Sequence, residues 1–364
     1  LLGAHGNLAA ASREWIARQF DHEVRGLTAS KPFAQPAKKG PGYFALLPPP
    51  PHSPFLFAVG TGLNPRYSYL DPGAMAEAAL DEAMRNIVVK GGDPSQTAIL
   101  DNYCWGNPER ATTLGDLVRA TEKICSLAMV YGTPFISGKD SLYNEYRVGN
   151  ESIAIPGCLL VTAMAPVTNV YEVPDSAFTE AGNDVYLLGL TRPELGGSVY
   201  LERRGEYGDR VPRMHDPELL HRQYRCVHEL IQQGAIRSAH DLSEGGLAVA
   251  AAEMAFGGEL GLLLDLANVP AVEGMTDTEL LWSESLGRIL IEVTPDDSET
   301  LERLFRDNAL PFAKVGEVRA GAVFQCDGLQ GTRLIHQSLD DCHRAWREPL
   351  AQGPLALAPR SEDS

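Results

Sequence analysis

The sequence lacks any apolar run approaching the roughly 20 residues that a membrane-spanning helix requires, and it shows no signal peptide. It also lacks a basic excess, because 48 acidic residues outnumber 31 basic ones and the formal net charge is −17. Such a chain is a poor ligand for nucleic acid or for an anionic membrane. We therefore predict a cytoplasmic protein that binds neither.

Cysteine is sparse, and its spacing excludes the common metal and redox motifs. The six cysteines are scattered, with no Cys-x-x-Cys pair and no spacing typical of a zinc site. Neither a Ser-His-Asp nor a Cys-His nucleophilic system is recognisable. We interpret the cysteines as single thiols of a protein from a reducing compartment.

The sequence does contain enough apolar material for two domains. Of its 364 residues, 44% are hydrophobic, and 35 Gly and 25 Pro supply many turns. This composition fits alternating strands and helices better than a helical bundle. The chain begins at Leu1 rather than at Met, and we expect it to be a piece of a longer protein.

The hydrophobic pattern predicts a mixed α/β protein of two domains, with a boundary near 168–182. We predict a linker helix and Pro-rich connection over 1–54, a sheet domain over 55–170, an α/β domain over 171–345 and a tail over 346–364. Helices are predicted over 1–26, 72–90, 113–131, 217–233, 244–256 and 298–307, and strands over 55–62, 97–100, 133–137, 151–167 (two), 184–190, 235–243 (with a turn), 288–294 and 312–318.

Glu82 and Asn86 lie four residues apart in the predicted helix 72–90, so both side chains lie on one helix face. A carboxylate and an amide oxygen suit Mg²⁺, which keeps waters and phosphate oxygens as its other ligands. The alternative is a solvated polar face with no ligand.

Two predicted strands run straight into polar residues. Because α/β folds bind ligands at the carboxyl ends of strands, these residues are candidate ligands. The alternatives are an Asx turn and an ordinary surface turn. The residues are Asp101 and Asn102 after the first strand, and Gly138, Lys139, Asp140 and Ser141 after the second.

The Gly138-Lys139 pair does not belong to a P-loop. That motif requires a glycine five residues before Gly138, whereas Gly132 lies one residue further upstream. Asp140 also stands where the motif has its metal-binding hydroxyl. Lys139 can nevertheless supply a point charge to a phosphate.

Asp241 and Ser243 lie just before the predicted helix 244–256, which has Gly245 and Gly246 in its first turn. A helix N-terminus offers free N–H groups to phosphate, and Asp241 can hold the accompanying metal. The alternative is that Ser243 only caps the helix. Two glycines there cost about 1–2 kcal/mol relative to alanine, which a cap does not explain. Together these features indicate a Mg-nucleotide site.

Six stretches, between about residues 12 and 320, resemble the synthetase region of the phosphoribosylformylglycinamidine synthase family. They are RQFDHEV, DEAMRNIVVKGGDPSQTAILDNYCWGNPE, TPFISGKDSLYNE, LLGLTRPELGGSVY, AHDLSEGGLAVAAAEMAF and LWSESLGRILIEV. The resemblance implies an aminoimidazole ribonucleotide synthetase-like fold. In that fold an N-terminal sheet domain pairs into a pseudo-dimeric barrel and is followed by a C-terminal α/β domain.

The resemblance also implies a ligase of purine biosynthesis. The family converts formylglycinamide ribonucleotide to formylglycinamidine ribonucleotide with ATP and glutamine-derived ammonia, through an iminophosphate. This chain resembles the second of two tandem copies, and the catalytic His of the family belongs to the first copy. The implied partners are that first half, a glutaminase domain or subunit and a small accessory subunit. We expect the isolated piece to self-associate through its open sheet face.

By the same resemblance, the candidate residues divide between two sites, and we assign no catalytic residue to this half. Asp101, Gly138 and Ser141 match an ATP and substrate site shared with the first copy. Lys139 stands where shorter family members have a metal-binding Asn, and we interpret it as a phosphate contact. In longer members, the second copy has a pocket of its own that holds a non-reacting ADP with Mg²⁺. Four residues match this pocket: Glu82, Asn86 and Asp241 as metal ligands, and Ser243 as a nucleotide contact.

Two other hypotheses remain open at this point. The chain can be a non-catalytic half whose bound ADP stabilises the barrel. It can also be a free-standing homodimeric ATP-using enzyme of the same superfamily.

Overall fold

Two sheets organise the chain. The computed structural model describes residues 1–19, 28–30, 32–33, 40–42, 44–48 and 56–351. Within these ranges one sheet has five strands, a second has seven, and helices pack against both. The predicted mixed α/β fold is confirmed.

The first sheet has the strand order β1-β2-β7-β3-β4, and only its β3–β4 pair is parallel. A hairpin of β5 (Glu145–Val148) and β6 (Glu151–Ala154) follows β4. The five strands are β1 (Phe44–Leu47), β2 (Leu56–Gly62), β3 (Ala98–Cys104), β4 (Phe135–Ser141) and β7 (Cys158–Val167).

The second sheet has the order β14-β13-β10-β12-β8-β11-β9. Its central strands β8 and β11 are buried along their whole length, as expected for apolar runs inside a sheet covered on both faces. The seven strands are β8 (Asp184–Leu188), β9 (Ser238–Asp241), β10 (Gly261–Asp265), β11 (Ile289–Val293), β12 (Phe312–Arg319), β13 (Val323–Asp327) and β14 (Arg333–Ser338).

None of the helices in the described ranges is long and apolar enough to cross a membrane. The ten helices there are α1 (Leu2–His5), α2 (Glu14–Gln19), α3 (Pro72–Val88), α4 (Ala111–Tyr131), α5 (Val199–Glu202), α6 (Pro217–Gln232), α7 (Gly246–Gly258), α8 (Asp277–Trp282), α9 (Ser298–Asp307) and α10 (Leu339–Arg347).

Helix α3 is the central element of the first domain. It begins where predicted, because Pro72 occupies the first turn and Asp71 accepts hydrogen bonds from the backbone N–H groups of Gly73 and Ala74. It packs on the first sheet, on α4 and on α6 of the second domain, so nearly all of its residues are buried. Its charged residues Asp81 and Arg85 are therefore buried and need partners.

The other face of the first sheet remains partly open. Along β7, Leu159, Val161 and Ala163 are fully buried, whereas the alternating residues between them are partly exposed. Strand β4 lies at the sheet edge, and its residues 135–140 are all exposed, with Ile136 at 57%. Among the described residues, the sheet thus presents an apolar face and an edge strand, β4, that pairs on one side only.

The predicted ends of two strands were wrong. Strand β3 continues to Cys104 and β4 continues to Ser141, so the polar residues lie inside the strands rather than after them. The parallel register pairs Asp101 with Gly138 and Asn102 with Lys139. This non-local ladder holds the backbone extended whatever the polarity of the side chains.

The amino-terminal predictions also need correction. The single helix predicted over 1–26 is replaced, in the described part, by the short helices α1 and α2, and residues 20–27 lie outside that part. The predicted irregular segment 27–54 contains β1, because this strand pairs with β2.

At the other end of the chain, α10 runs past the predicted domain end at 345. Trp346 is 1% exposed and belongs to the core of the second domain. The other predicted domain limits remain predictions, and residues 352–364 of the predicted tail lie outside the described ranges.

Candidate functional site

A cavity of about 380 Å³ lies where the two domains and the N-terminal segment (residues 1–19) meet. Its size is within the range of about 300–1,000 Å³ that is typical of small-molecule sites. The N-terminal side contributes Ala9, Ala10, Arg13, Ala17, Pro32 and Phe33, the first domain Thr61, Leu63, Glu82, Asn86 and Leu160, and the second domain His240, Asp241, Ser243, Glu244, Val249, Ala250 and Glu253.

Four of the residues singled out in the sequence line this one cavity. Glu82 and Asn86 project from the same face of α3. Asp241 ends β9, and Ser243 lies in the turn between β9 and α7. The fold therefore joins two constellations that the sequence presented separately.

Arg85, which sequence reasoning missed, connects the two constellations. This buried side chain, 1% exposed, donates from Nε to Asp81 Oδ2 at 2.8 Å and from Nη1 to Asp241 Oδ2 at 3.1 Å. It also donates to the Leu242 carbonyl at 2.6 Å and to Ser243 Oγ at 3.2 Å. Arg85 thus holds the β9–α7 turn against α3, which fixes the distance between the two sides of the cavity.

The cavity concentrates negative charge. Glu82 accepts hydrogen bonds from the Leu63 backbone N–H at 2.8 Å and from Asn64 Nδ2 at 3.1 Å. Burial, together with the charges of Glu244 and Asp241, raises the pKa of Glu82 well above its usual value. Burial also raises the pKa of Glu244. A bound cation would relieve the repulsion among these three carboxylates and favour their ionised forms.

The residues that line the cavity suit Mg²⁺ better than they suit a metal that needs protein ligands alone. In the ranges that the structure covers, no group of three or more His, Cys, Asp or Glu side chains is arranged to hold a metal. Magnesium needs only one or two carboxylates, with waters and phosphates as further ligands. Glu82 and Asp241 supply carboxylates, and Asn86 donates from Nδ2 to the Thr61 carbonyl at 2.9 Å, which leaves its amide oxygen as a ligand atom.

The turn before α7 depends on its two glycines. Gly245 has a φ of 81° and Gly246 a φ of 58°, values that other residues rarely adopt. The Gly245 backbone N–H donates to Glu284 Oε1 at 2.8 Å. Ser243 does not cap the helix, because Gly245 holds the N-cap position and no side chain accepts there from the backbone N–H groups of the first turn. Ser243 Oγ instead accepts from Arg85 Nη2 at 3.2 Å and donates to Asp241 Oδ2 at 2.7 Å. The alternative capping interpretation is therefore wrong.

His240 and Glu253 form a second polar pair at the cavity wall that sequence reasoning missed. The His240 ring is 5% exposed, with Nδ1 2.6 Å from the Asp241 carbonyl oxygen and Nε2 3.1 Å from Glu253 Oε2. Burial is the largest single influence on the His240 imidazole and disfavours its charged form. The hydrogen bond and charge of Glu253, together with the charge and backbone carbonyl of Asp241, outweigh burial and raise the pKa of His240. The only sequence signal for this pair is that both residues lie in the stretch 239–256, which also contains Asp241.

The remaining predicted site residues do not line this cavity and do not form one cluster. A Cβ atom on Gly138 would lie 2.1 Å from Asp101 Oδ1, so these two paired positions share one sheet face. Lys139 and Ser141 lie on the opposite face, where Lys139 Nζ donates to Ser141 Oγ. The backbone N–H of Lys139 hydrogen-bonds to the Asp101 carboxylate, whose pKa is raised by burial. Asp101 therefore holds the strand that carries Lys139.

The N-terminal segment closes one side of the cavity by docking on the second domain. The Ser12 backbone N–H donates to the Trp346 carbonyl at 2.9 Å, and Asn7 Nδ2 donates to Glu202 Oε2 at 2.9 Å. His5 is fully buried, with its ring edge-on to Phe256 at 5.8 Å between centroids. Neither ring nitrogen of His5 has a hydrogen-bond partner among the described residues.

This burial predicts a loss of stability in acid. It lowers the pKa of His5 from 6.5 to about 3, so the unfolded chain binds the proton first as the pH falls. The contribution of His5 to stability is complete above pH 6.5 and is lost progressively between pH 6.5 and 3, by about 2 kcal/mol at pH 5. We expect urea unfolding at pH 7.5 and pH 5 to show a smaller difference in His5→Leu than in the unsubstituted chain. The exposed His336 serves as control, because His336→Gln should leave the difference unchanged; equal acid losses in all three proteins would contradict the prediction.

A sheet domain followed by an α/β domain, with a cavity between them, is the arrangement expected of a protein related to AIR synthase. The family model for the AIR synthase related protein N-terminal domain matches residues 51–157, and that for the C-terminal domain matches residues 180–327. The chain belongs to this family. The resemblance recognised in its motifs is thereby confirmed at the level of the family.

Curated relatives that the chain is similar to include the subunit PurL of two organisms. The chain is 33% identical, over 348 residues, to the phosphoribosylformylglycinamidine synthase subunit PurL of Alkaliphilus metalliredigens, covering 93% of this chain and 43% of the relative. It is also 33% identical, over 350 residues, to the subunit PurL of Methanopyrus kandleri, covering 94% and 45%. The chain thus spans less than half the length of these relatives.

Solved structures support the fold. Thermotoga maritima PurL complexed with FGAR superposes with a TM-score of 0.70 at 18% identity, covering 94% of this chain and 53% of that one. The same protein complexed with ATP gives 0.65 at 20% identity, covering 92% and 52%. A structure of PurLQS from Thermotoga maritima gives 0.64 at 19% identity, covering 86% and 48%.

Proposed function

We propose that this chain is the second half of the synthetase part of a phosphoribosylformylglycinamidine synthase, an ATP-dependent carbon–nitrogen ligase of purine biosynthesis. The whole enzyme would convert formylglycinamide ribonucleotide to the amidine with glutamine-derived ammonia. The observation that carries the proposal is the convergence of Glu82, Asn86, Asp241 and Ser243 on one cavity between the domains. The names of the relatives support a phosphoribosylformylglycinamidine synthase, and the details of the reaction come from the family that the motifs resemble.

The chemistry of the cavity favours a nucleotide bound with magnesium. Phosphate groups facing Glu82, Asp241 and Glu244 would be repelled. A divalent cation held by Glu82, Asn86 and Asp241 would offset this repulsion. Bound there, Mg²⁺ supplies charge neutralisation for the phosphates. Ser243 Oγ and the N-terminus of α7 supply polar groups beside it, and the apolar wall around Val249 suits the base.

Lys139 and Ser141 serve a different site in this proposal. They lie together on the partly open sheet face, where Lys139 Nζ can reach a phosphate of the ATP or substrate shared with the first half. Asp101 acts as a positioning residue through the Lys139 backbone, and Gly138 leaves room for its carboxylate. No residue of this half is assigned a catalytic role.

A second candidate function is a non-catalytic half whose bound ADP stabilises the fold. It is favoured by the enclosure of the cavity by three parts of the chain, which suits a ligand that stays in place. A free-standing homodimeric ATP-using enzyme is the third hypothesis. The proposed partners for the first two functions are the first synthetase half, a glutaminase and a small accessory subunit, and the name of the PurLQS structure supports such an assembly in a relative.

The first test identifies the nucleotide. We expect the purified chain, once denatured, to release near-stoichiometric ADP together with magnesium, and chelation of magnesium to release the ADP from the folded chain. Glu82→Gln should weaken ADP binding by about 10–100-fold, because it removes a charged ligand while keeping the side-chain shape. Glu302→Gln, at a partly exposed position of α9 that does not line the cavity, is the matched control and should bind normally. A chain that is empty and has no affinity for Mg-ADP would sink the proposal.

Lys139→Ala distinguishes the two sites. In the enzyme reconstituted with its first half, this substitution should abolish amidine formation and leave ADP bound to the present chain. Arg147→Ala, on the exposed strand β5, is the control and should keep both properties. Full activity of Lys139→Ala would mean that Lys139 does not contribute to the shared site. The second candidate function, a non-catalytic half stabilised by ADP, would then be favoured. ATP hydrolysis by this chain alone, as a homodimer, would favour the third hypothesis.

The open sheet face predicts self-association of the isolated chain. An exposed apolar sheet face with an unpaired edge strand tends to pair with another copy. We expect sedimentation to show a dimer at micromolar concentration, and Ile136→Lys on β4 to weaken the dimer at least about 10-fold. Leu329→Lys, at another exposed apolar residue, is the control. A stable monomer at micromolar concentration would contradict this expectation.

A further inference from the structure

Two cysteines lie directly opposite each other on the partly open face of the first sheet. Cys104 ends β3, Cys158 begins β7, and the antiparallel register pairs them. Residues paired in this way lie on one sheet face with Cα atoms about 4.5–5.5 Å apart. That spacing falls within the range of about 4.4–6.8 Å that a disulfide bridges.

The two thiols also differ from the other cysteines in their surroundings. Both are free and half-buried, whereas Cys226, Cys326 and Cys342 are buried. The alternation along β7 places Cys158 with the partly exposed residues, on the side away from the helices. Both thiols therefore lie on the sheet face that the described residues leave partly open. The spacing of the two cysteines in the sequence matches no known motif. Only the strand register brings them together.

We propose that Cys104 and Cys158 form a reversible disulfide when the folded chain meets a low-molecular-weight disulfide such as oxidised glutathione. In the first step the Cys104 thiolate attacks one sulfur of the reagent, forms a mixed disulfide and releases one thiolate. In the second step the Cys158 thiolate attacks Cys104 Sγ and releases the other thiolate. The protein gives up two thiol protons and two electrons, and the reagent is reduced to two thiols.

The electrostatics of the pair set the order of the two steps. Burial raises the pKa of Cys158 to about 11, and the negative charge of a Cys104 thiolate adds to the effect. Cys158 is therefore protonated near neutral pH, and we assign the first attack to Cys104. Once Cys104 is held in a neutral mixed disulfide, its charge no longer opposes ionisation of Cys158. We expect the closing step to accelerate as the pH rises from 7 to 9.

The new bond would lie beside a residue of the proposed shared site. In the parallel register of β3 and β4, Cys104 pairs with Ser141, so Ser141, Cys104 and Cys158 occupy one row across the sheet. The disulfide would tie β3 to β7 in that row. Its formation does not depend on the proposed function and is tested by chemistry alone.

The test treats the reduced, folded full chain, kept below the concentration at which it self-associates through this face, with oxidised glutathione. The reaction is followed by intact mass and by peptide mapping without reduction. We expect a loss of two hydrogens without a glutathione adduct, and one linked peptide that contains Cys104 and Cys158. Cys158→Ser should stop at glutathione attached to Cys104, and Cys104→Ser should form no linked peptide. Cys125→Ser, which removes an exposed cysteine on α4, is the control and should close normally.

Three results would overturn the proposal. The unsubstituted chain can keep both thiols, it can accumulate glutathione on Cys104 without closing, or it can form the link only after unfolding in urea. Because the peptide map of the unsubstituted chain decides among these results, a variant that fails to fold does not weaken the test.

Discussion

Arg85→Met is expected to lower the free energy of unfolding by about 3–5 kcal/mol, the usual cost of removing one partner from a buried ion pair. The substitution keeps most of the volume of the side chain but leaves Asp81 and Asp241 buried without their cation. Asp81 retains the Tyr224 hydroxyl and the Gly287 backbone N–H at 2.9 Å, which stabilise it only partly. Urea unfolding at neutral pH measures the loss directly.

Arg306→Met is the matched control for this prediction. Arg306 and Glu302 are also four residues apart on a helix and pair at 3.1 Å, but the Arg306 side chain is exposed and that of Glu302 is partly exposed. An exposed pair of this kind contributes about 0.3–0.5 kcal/mol, so the two arginines should differ by several-fold or more in their effect. Similar losses for both variants would show that burial does not govern the Arg85 pair. Because Arg85 also holds Ser243 and Leu242, we expect ADP binding to fall with stability only in Arg85→Met.

Gly246→Ala is the second substitution with a large expected effect, a loss of about 2–5 kcal/mol in the free energy of unfolding. Two separate costs add at this position. The φ of 58° is strained for alanine, and the new Cβ would lie 2.3 Å from the Ser283 carbonyl oxygen and 3.0 Å from that of Leu281. Both neighbours are backbone atoms, so the turn itself must shift. We therefore expect weaker ADP binding together with the loss of stability.

Gly115→Ala provides the opposite outcome for the same chemical change. Gly115 lies in α4 and its φ is not positive. Apart from its own helix backbone and chain neighbours, no atom of the described residues lies within 4 Å of the added Cβ. Alanine in a helix interior is favoured over glycine by about 0.5–1 kcal/mol, so this variant should be more stable than the unsubstituted chain. Denaturant titrations of the two variants side by side decide the matter. A Gly246→Ala protein of unchanged stability would mean that the β9–α7 turn does not adopt the conformation described.

The helices show how far local information extends. Helix α9 was predicted over 298–307 and occupies Ser298–Asp307, and α3 begins at the predicted Pro72. Caps and helical periodicity act within a few residues of the chain, so they are visible in the sequence. The strands β3 and β4 were predicted too short because their length depends on pairing with each other, across a stretch of chain that contains α4.

The candidate site also combines local relations, which the sequence shows, with relations that depend on the tertiary structure. The sequence by itself determined that Glu82 and Asn86 share a helix face, and that a glycine-rich turn follows Asp241 and Ser243, because both relations are local. Only the tertiary structure decided that these residues meet in one cavity, that Arg85 joins them, and that Lys139 and Asp101 lie on opposite faces of a sheet. Cys104 and Cys158 meet for the same reason. Strand register and domain packing bring distant residues together, and no local pattern encodes either.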